Sequence, residues 1–414
     1  MRILSFLQEN LRWIAGGFLL CLFSSFGQTF FIALSGGQIR AEYGLSNGEW
    51  GSLYMAATLA SAVTLTQLGR IVDHVSIAVV AAIIIPALGL ACFLMGVSQS
   101  VVLLGLAVYL LRLFGQGMMT HTSMTAMGRW YSGNRGTAVS LAALGHQTGE
   151  ALLPLAMVSL FAVMGWREAW YLAAAILVVL ALPLVFSLLR VERMPKTTDR
   201  AEVRRASRDW TRREVMADPL FWTLLLGVLA PAFIGTTIFF HQAYLVELRG
   251  WPLETFAASF TVMALMTILF ALVCGQLIDR FGAIRILPFF LLPLGLSCFL
   301  LATVPSSSAI VIFMGLMGIS YGFSTTLFGA LWPELYGTAH LGAVRSVAIS
   351  LMVFSSAAGP GITGLLIDAG VSYLAQIFAM GIWCLAASAI MLFVARRLAS
   401  RAAGPIEPET AGTA

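Results

Sequence analysis

The segment VVLLGLAVYLLRLFGQGMMTHTSM at residues 101–124 is long and apolar enough to cross a membrane as a helix, yet it carries Arg112 near its centre. A short basic connector, GRWYSGNRG at 128–136, leads to a second apolar run at 136–160 that contains Glu150. A charge buried alone in hydrocarbon costs about 2.5 kcal/mol or more. Two neighbouring spans with opposite charges at depth therefore predict a functional site.

The composition of the chain excludes water as its main solvent. Of its 414 residues, 59% are hydrophobic and 10% are charged, and the mean hydropathy is +0.90, whereas a soluble domain is about a quarter charged. Twelve apolar runs are each long enough to cross a bilayer core of about 30 Å as a helix. Strand alternation is absent, so we predict an all-α membrane protein. The runs are 13–34, 50–69, 76–97, 101–124, 136–160, 166–189, 219–245, 253–275, 285–304, 308–331, 345–368 and 372–396.

The positive charges indicate the orientation of the chain. If the N-terminus is cytoplasmic, the inner connectors carry most of the Arg and Lys residues, and the outer connectors carry only Arg40, Arg167 and Arg249. This distribution follows the positive-inside rule. We therefore predict a multi-pass protein of the bacterial inner membrane with both termini in the cytoplasm. The net charge of +5 reflects this orientation, so we expect no nucleic-acid partner.

An internal repeat divides the chain at its one long charged connector, 190–218. Glycine, aspartate and arginine positions match across this connector at offsets of 206 or 210 residues. The matches include Gly44 with Gly250, Gly69 with Gly275, Asp73 with Asp279, and Arg135 with Arg345. Because transporters are often built from duplicated bundles, we predict two pseudo-symmetric six-helix bundles. The predicted parts are an N-terminal bundle at 1–189, a cytoplasmic linker at 190–218, a C-terminal bundle at 219–397 and a disordered cytoplasmic tail at 398–414.

The sequence GQLIDRFG at 275–282, between spans 8 and 9, resembles the loop motif of the major facilitator superfamily. That motif has Gly, three residues, Asp, Arg or Lys, one residue and Gly. Twelve spans in two halves and the sequence GWREAW at 165–170 are also typical of the family. The first-half copy, GRIVDHVS at 69–76, has His74 and Ser76 where Arg and Gly are usual. The resemblance covers nearly the whole chain and implies a transporter without enzymatic activity.

The loop aspartates are candidate latches between the two halves. A carboxylate at the cytoplasmic end of one helix can accept hydrogen bonds from the free amides that begin another, and it can pair with an Arg there. We expect Asp73 to contact the start of span 11 near Arg345. We expect Asp279, with Arg280, to contact the start of span 5 near Arg135. Both latches would favour the outward-open state; alternatively, the aspartates only cap helices and set the topology.

Arg112 and Glu150 are predicted to lie at similar depth. Arg112 is about 18 Å from Ser100 along a helix, and Glu150 is about 22 Å from Arg135, at 1.5 Å per residue. In one interpretation Arg112 binds an anionic substrate with its planar fork and Glu150 takes up a coupled proton. In the other, the two form a permanent structural bridge. His146, one turn from Glu150, could relay the proton or only pack.

Spans 1 and 7 interrupt their apolar runs at matching points, FGQTFF at 26–31 and IGTTIFFHQ at 234–242. A glycine followed by hydroxyl or amide side chains can loosen a helix and turn polar groups inward. Hydroxyls also hold helices together, however, and His241 could instead be an outer gate. The candidate substrate-binding residues are Arg112, Gln28, Thr29, Tyr54, Thr236, Thr237, His241, Gln242, Tyr321 and Ser324, with Thr325 beside them.

The sequence contains no phosphate-binding loop, metal-ligand cluster or nucleophile arrangement, so we expect no cofactor, no metal and an ion gradient as the driving force. Span 5 reads GHQTGEALLP, with Glu150 where drug/proton antiporters of the family carry Pro, which argues against drug export. The basic connector and Arg112 loosely resemble the bacterial monocarboxylate and oxalate/formate-like branch. We predict a monomeric transporter that moves a small organic anion by alternating access with proton symport. The alternatives are a proton-driven exporter of drugs or amphipathic metabolites, and a membrane signalling or structural protein.

Overall fold

A computed structural model describes residues 2–131, 135–191, 193, 209–337 and 340–402, and these residues form helices joined by short connectors. Ten helices are long and apolar enough to span a membrane, and a bent pair makes an eleventh span. The twelfth, Leu292–Thr303, is shorter. The predicted all-α class with twelve spanning helices is confirmed. In chain order, α1 to α12 are Phe6–Gly27 with Thr29–Tyr43, Asn47–His74, Ile77–Val97, Val101–Trp130, Arg135–Met164, Trp166–Leu189, Pro219–Phe240 with Gln242–Arg249, Leu253–Phe281, Leu292–Thr303, Ser308–Tyr336, Leu341–Asp368 and Tyr373–Ala402.

Short connectors place successive helices antiparallel, so the molecule has two ends. We call the end with both termini and the α6–α7 connector the linker face, and the opposite end the far face. At the far face, Gly44 ends α1 with φ 63° and Gly250 ends α7 with φ 65°. Both conformations are left-handed, which glycine adopts without strain at a helix end. The two glycines that the repeat aligns therefore perform the same task in each half.

Two helices are interrupted within the stretches where the sequence predicts loosening, and a third departs from regular α-helix elsewhere. Helix α1 bends by 42° at Gln28, whose extended backbone (φ −83°, ψ 154°) separates two helical pieces. Helix α7 is interrupted near His241. Helix α4 widens into π-helical turns over Leu111–Met119, which the sequence does not predict. Widened turns of this kind occur frequently at functional sites.

The parts predicted to lie outside the bundles are more helical than expected. The predicted linker contains a short helix, Arg212–Ala217, which begins with a capping box between Thr211 and Glu214. Helix α12 continues to Ala402, past the predicted bundle end at 397. Most of the linker and residues 403–414 of the predicted disordered tail lie outside the described residues.

Helices α1–α6 and α7–α12 meet toward the far face. The hydrogen bonds between the two sets, within the part of the chain that the structure describes, all lie in the far-face half of the molecule. Their donors and acceptors are Arg40 and Glu247, Ser46 and Asp368, Gly48 and Asp368, Gln242 and Phe30, and Thr261 and Ala151. The molecule is therefore closed at its far face.

Candidate functional site

The buried Arg112 side chain lies where α4 meets the break in α1. Its Nη1 donates to the Gly27 carbonyl at 3.3 Å and to Thr29 Oγ1 at 3.2 Å. The bend at Gln28 leaves the Gly27 carbonyl free for this contact. A Cβ on Gly27 would overlap the Leu111 carbonyl oxygen and lie 2.7 Å from Gly115 Cα. Two glycines thus let the backbones of α1 and α4 touch, and this contact places Arg112 at the break.

Tyr54 of α2 completes the surroundings of Arg112. Its hydroxyl is 2.5 Å from Thr29 Oγ1, and its ring centroid is 5.3 Å from the Arg112 guanidinium carbon. A cation over an aromatic face is stabilised by about 2 kcal/mol when desolvated. The Arg112 Nε is buried and has no hydrogen-bond partner among the described residues. The guanidinium therefore has donor capacity left after binding the break.

The structure does not contain the Arg112–Glu150 bridge, which is one of the two interpretations that the sequence leaves open. Both residues are described and buried, yet the structure contains no ion pair between them, and Arg112 instead contacts α1 and α2. Because depth along a helix does not fix which way a side chain faces, two charges at equal depth need not meet. The interpretation of the pair as a permanent structural bridge is thereby excluded.

Glu150 lies on α5 where that helix packs against α8 of the other half. Within the described residues it has no hydrogen-bond or ion-pair partner, although its side chain is only 5% exposed. Pro154, four residues on, cannot donate to the Glu150 carbonyl. The next carbonyl, that of Ala151, accepts from the Thr261 hydroxyl of α8 at 2.7 Å. An isolated buried carboxylate of this kind is costly unless it binds a proton or a partner.

The His146 ring contacts an aromatic side chain in place of the carboxylate one turn away. Its centroid is 6.0 Å from that of Phe30, which in turn lies 5.6 Å from Phe260 of α8. The structure describes no hydrogen bond between His146 and Glu150. Phe30 follows the break in α1 and reaches both halves, a position that the sequence analysis did not single out.

Several predicted polar residues use their hydroxyls within their own half. Thr237 donates to the Phe233 carbonyl and packs against Gly359, and Ser324 donates to the Ser320 carbonyl. Both hydrogen bonds go to the carbonyl four residues earlier in the same helix, so neither hydroxyl joins two helices by a hydrogen bond among the described residues. Thr236 and Gln28 have no side-chain hydrogen bonds among the described residues, and Thr325 is exposed.

Tyr321 is the counterpart of Arg112 in the second half. Its hydroxyl donates to the Pro231 carbonyl of α7 at 3.2 Å, and a Cβ on Gly235 would overlap that hydroxyl. Gly235 is the residue that the repeat aligns with Gly27. In each half, a glycine on the first helix therefore makes room for the fourth helix. Gly27 accommodates the backbone of α4, and Gly235 accommodates the Tyr321 side chain of α10.

His241 and Gln242 lie at the far-face contact between the halves. His241 Nε2 is 3.1 Å from the Pro360 carbonyl of α11, and its ring is 5.5 Å from that of Tyr373. Gln242 Nε2 donates to the Phe30 carbonyl at 3.0 Å. Gln242 therefore joins the two halves, whereas both of these His241 contacts lie within its own half, and a role of His241 as an outer gate stays a prediction.

The predicted latches at the linker face are not formed among the described side chains. Asp73 and Arg345 are both exposed, and no hydrogen bond or ion pair joins them. Asp279 is exposed, and the neighbouring Arg280 guanidinium lies 5.1 Å from the Phe281 ring. The Arg135 side chain lies outside the described residues. Because the latches are expected only in the outward-open state, a molecule closed at the far face leaves them as a prediction.

With twelve helices in two similar halves and charged groups between them, the molecule has the architecture of a membrane transporter. The model of the Major Facilitator Superfamily matches residues 17–360 and 245–413 of the sequence. The chain belongs to this superfamily. It is therefore a multi-pass membrane transporter and not an enzyme.

Solved structures support the same fold. A bacterial homolog to the human lysosomal transporter Spinster, in an inward-facing and unoccupied conformation, has a TM-score of 0.70 and 16% identity over 94% of this chain and 97% of that chain. The nucleoside transporter NupG has a TM-score of 0.67 and 15% identity over 94% of this chain and 98% of that chain. At these identities the similarity defines the fold. A comparison with curated protein sequences gives no match.

Proposed function

We propose that this transporter carries a small organic anion together with a proton, by secondary active transport through alternating access. The observation that carries this proposal is Arg112, a residue that is 3% exposed and whose guanidinium has no carboxylate partner among the described residues. A buried charge without a counter-charge is expensive. An anionic substrate that binds Arg112 supplies the missing negative charge.

Glu150 is the second buried charge that must be neutralised during transport. A buried carboxylate without a partner is neutralised when it binds a proton. The bound anion then neutralises Arg112, and the bound proton neutralises Glu150. Without these net charges, the anion and the proton cross the low-dielectric interior more easily. Substrate and proton therefore travel in the same direction. His146, one turn from Glu150, is the candidate for proton exchange.

Within this proposal the linker face is cytoplasmic, as the distribution of positive charges indicates. The protein lies in a bacterial inner membrane as a monomer, with both termini in the cytoplasm. The structure closed at the far face is then the inward-open state. Asp279, Arg280 and Arg135, together with Asp73 and Arg345, would meet only when the cytoplasmic side closes.

The test is uptake of small carboxylates into proteoliposomes containing purified protein. Arg112→Ala removes the anion partner, and Arg112→Lys retains the charge but loses the planar fork. We expect uptake to be abolished in the first and reduced at least about tenfold in the second, with folding retained. Arg70→Ala, which changes an exposed arginine near the linker-face end of α2, is the matched control. Normal carboxylate uptake in Arg112→Ala would reject the proposal.

An aromatic row between the halves favours a second candidate, proton-driven export of a drug or amphipathic metabolite. The Phe30 and Phe260 rings lie 5.6 Å apart, and the Phe260 and Phe239 rings lie 5.0 Å apart. Such a row could receive an apolar substrate. Resistance of a pump-deficient host that expresses this protein, lost in Phe260→Ala, would favour export over uptake.

A further inference from the structure

The carboxylate of Asp368 joins the two halves at the far face. Asp368 is the last residue of α11, and its Oδ2 accepts from the Ser46 hydroxyl at 2.6 Å and from the Gly48 N–H at 2.8 Å. Ser46 is the N-cap of α2, where a capping box with Glu49 also begins the helix. The negative charge of one half therefore lies at the positive end of a helix in the other half.

Glycines hold α2 and α11 in close contact around this carboxylate. A Cβ on Gly48 would overlap Asp368, and a Cβ on Gly51 would overlap the Pro360 carbonyl. From the side of α11, a Cβ on Gly361 would lie 2.9 Å from the Met55 sulfur. The two helices are thus in backbone contact over more than one turn. They cannot separate at the far face without breaking both hydrogen bonds of Asp368.

The same helix α2 leads from Asp368 to the Arg112 site. Trp50 and Tyr54 place their rings 5.5 Å and 4.6 Å from that of Phe240 on α7, in the other half. Within its own half, Tyr54 also contacts Thr29 and Arg112. Opening of the far face moves α2 away from α11 and α7, and it therefore uncovers the site beside Tyr54.

The contact at the far face has the same form as the latch predicted at the linker face. There, Asp73 near the end of α2 would meet the start of α11 close to Arg345. At the far face, Asp368 at the end of α11 meets the start of α2. In this structure the far-face contact is formed, and Asp73 and Arg345, both among the described side chains, are not joined.

We propose that Asp368 is a gating residue whose negative charge holds the far face closed. Access alternates when the contact of Asp368 with the start of α2 is exchanged for the contact of Asp73 with the start of α11. This inference rests on the proposed alternating access, but it concerns an equilibrium that exists without substrate. The hydrogen bonds of the Asp368 carboxylate with the Ser46 hydroxyl and the Gly48 N–H then lower the free energy of the far-closed state relative to the far-open state.

The experiment measures a distance across the far face by pulsed electron resonance. Spin labels are attached to Gln99→Cys, between α3 and α4, and to Val371→Cys, after α11; both positions are exposed. The native cysteines among the described residues are buried, which limits background labelling. Asp368→Asn removes the charge with little change of shape, and Asp368→Ala removes both acceptors. We expect the population with the longer distance to rise about tenfold in Asp368→Asn and further in Asp368→Ala, because hydrogen bonds to a charged group are the strong ones.

Glu247→Gln is the matched control. Glu247 also reaches across the far face, but its one contact, to Arg40, is 3.4 Å long and its side chain is 73% exposed, so this pair contributes little. Asp368 is exposed as well, but it accepts two short hydrogen bonds, one of them from a backbone N–H at the start of a helix. An unchanged distance distribution in both Asp368 variants would overturn the inference, as would an equal shift in Glu247→Gln. If Asp368→Ala does not fold, as judged by gel filtration, the nearly isosteric Asp368→Asn decides. The measurement uses substrate-free protein, so its outcome is independent of whether an organic anion is transported.

Discussion

Replacing Gly27 with Ala tests the contact that positions the site. The new Cβ would overlap the Leu111 carbonyl oxygen and would lie 2.7 Å from Gly115 Cα and 3.1 Å from Gln116 N. All of these are backbone atoms, which cannot rotate away. Carbon atoms normally rest about 3.5–4.0 Å apart, so α1 and α4 must separate by roughly 1 Å. Overpacking of this kind costs about 1–3 kcal/mol.

The same separation weakens the hydrogen bond of Arg112. Its Nη1 is already 3.3 Å from the Gly27 carbonyl, and a further ångström takes the pair beyond hydrogen-bonding distance. A hydrogen bond from a charged group contributes about 1.5–3 kcal/mol. We therefore expect Gly27→Ala to destabilise the protein by about 3 kcal/mol and, for a chain of 414 residues, to lower its Tm by about 3–4 °C.

Thermal unfolding of purified protein in detergent, followed by tryptophan fluorescence, measures this effect. Gly329→Ala is the control, since no atom lies within 4 Å of a Cβ at this helical glycine of α10. There we expect no loss and a gain of up to about 1 kcal/mol from helix propensity. Equal Tm values for Gly27→Ala and Gly329→Ala would show that the close approach of α1 and α4 carries no cost.

Three further predictions concern the gate, the anion site and the proton. Gly48→Ala places a methyl group against the Asp368 carboxylate and should increase labelling of a far-face cysteine; unchanged labelling would contradict the tight contact. Tyr54→Phe removes the hydroxyl beside Thr29 Oγ1 and should weaken carboxylate binding by roughly tenfold in a calorimetric titration, with equal affinity arguing against a role in the site. Glu150→Gln should make carboxylate uptake independent of the pH gradient, and a pH dependence like that of the unmodified protein would exclude Glu150 as the proton carrier.

The break in α1 could be predicted from the sequence, whereas the widening of α4 could not. A glycine followed by Gln28 and Thr29 in an apolar run indicates a loosened helix by local chemistry alone. The π-helical turns at Leu111–Met119 contain residues that also suit an ordinary helix. Their widening accompanies the contact of Gly27 with Gly115, and that contact is made only when α1 and α4 pack together.

The direction in which a buried charged side chain points could not be predicted from the sequence either. The helical depth of Arg112 and Glu150 follows from residue counting, but the side of the helix that meets a given neighbour depends on how the bundle is assembled. Arg112 contacts the break in α1, whereas Glu150 lies on α5 where that helix meets α8 of the other half. The sequence could therefore predict that both residues are buried, but not that they are apart.

The far-face contact of Asp368 could not be predicted from the sequence either, because its partners are distant in the chain. In the sequence, Asp368 is the last residue of span 11, and an acidic residue at that position indicates only where the helix ends. Its partner, the N–H of Gly48, is 320 residues away in the chain. The repeat does not supply the contact either, because Val158, 210 residues before Asp368, is apolar. Glycine pairs on spans 2 and 11 were the available signal for close helix contact.

Proton movement driven by the substrate shows whether an anion at Arg112 and a proton cross together. Proteoliposomes loaded with a pH-sensitive dye receive an inward gradient of a small carboxylate that the protein binds, without an imposed pH gradient. We expect acidification of the lumen by the unmodified protein and by Arg70→Ala, and none by Arg112→Ala or Glu150→Gln. Carboxylate entry without acidification by the unmodified protein, or acidification that persists in Arg112→Ala, would contradict this coupled transport.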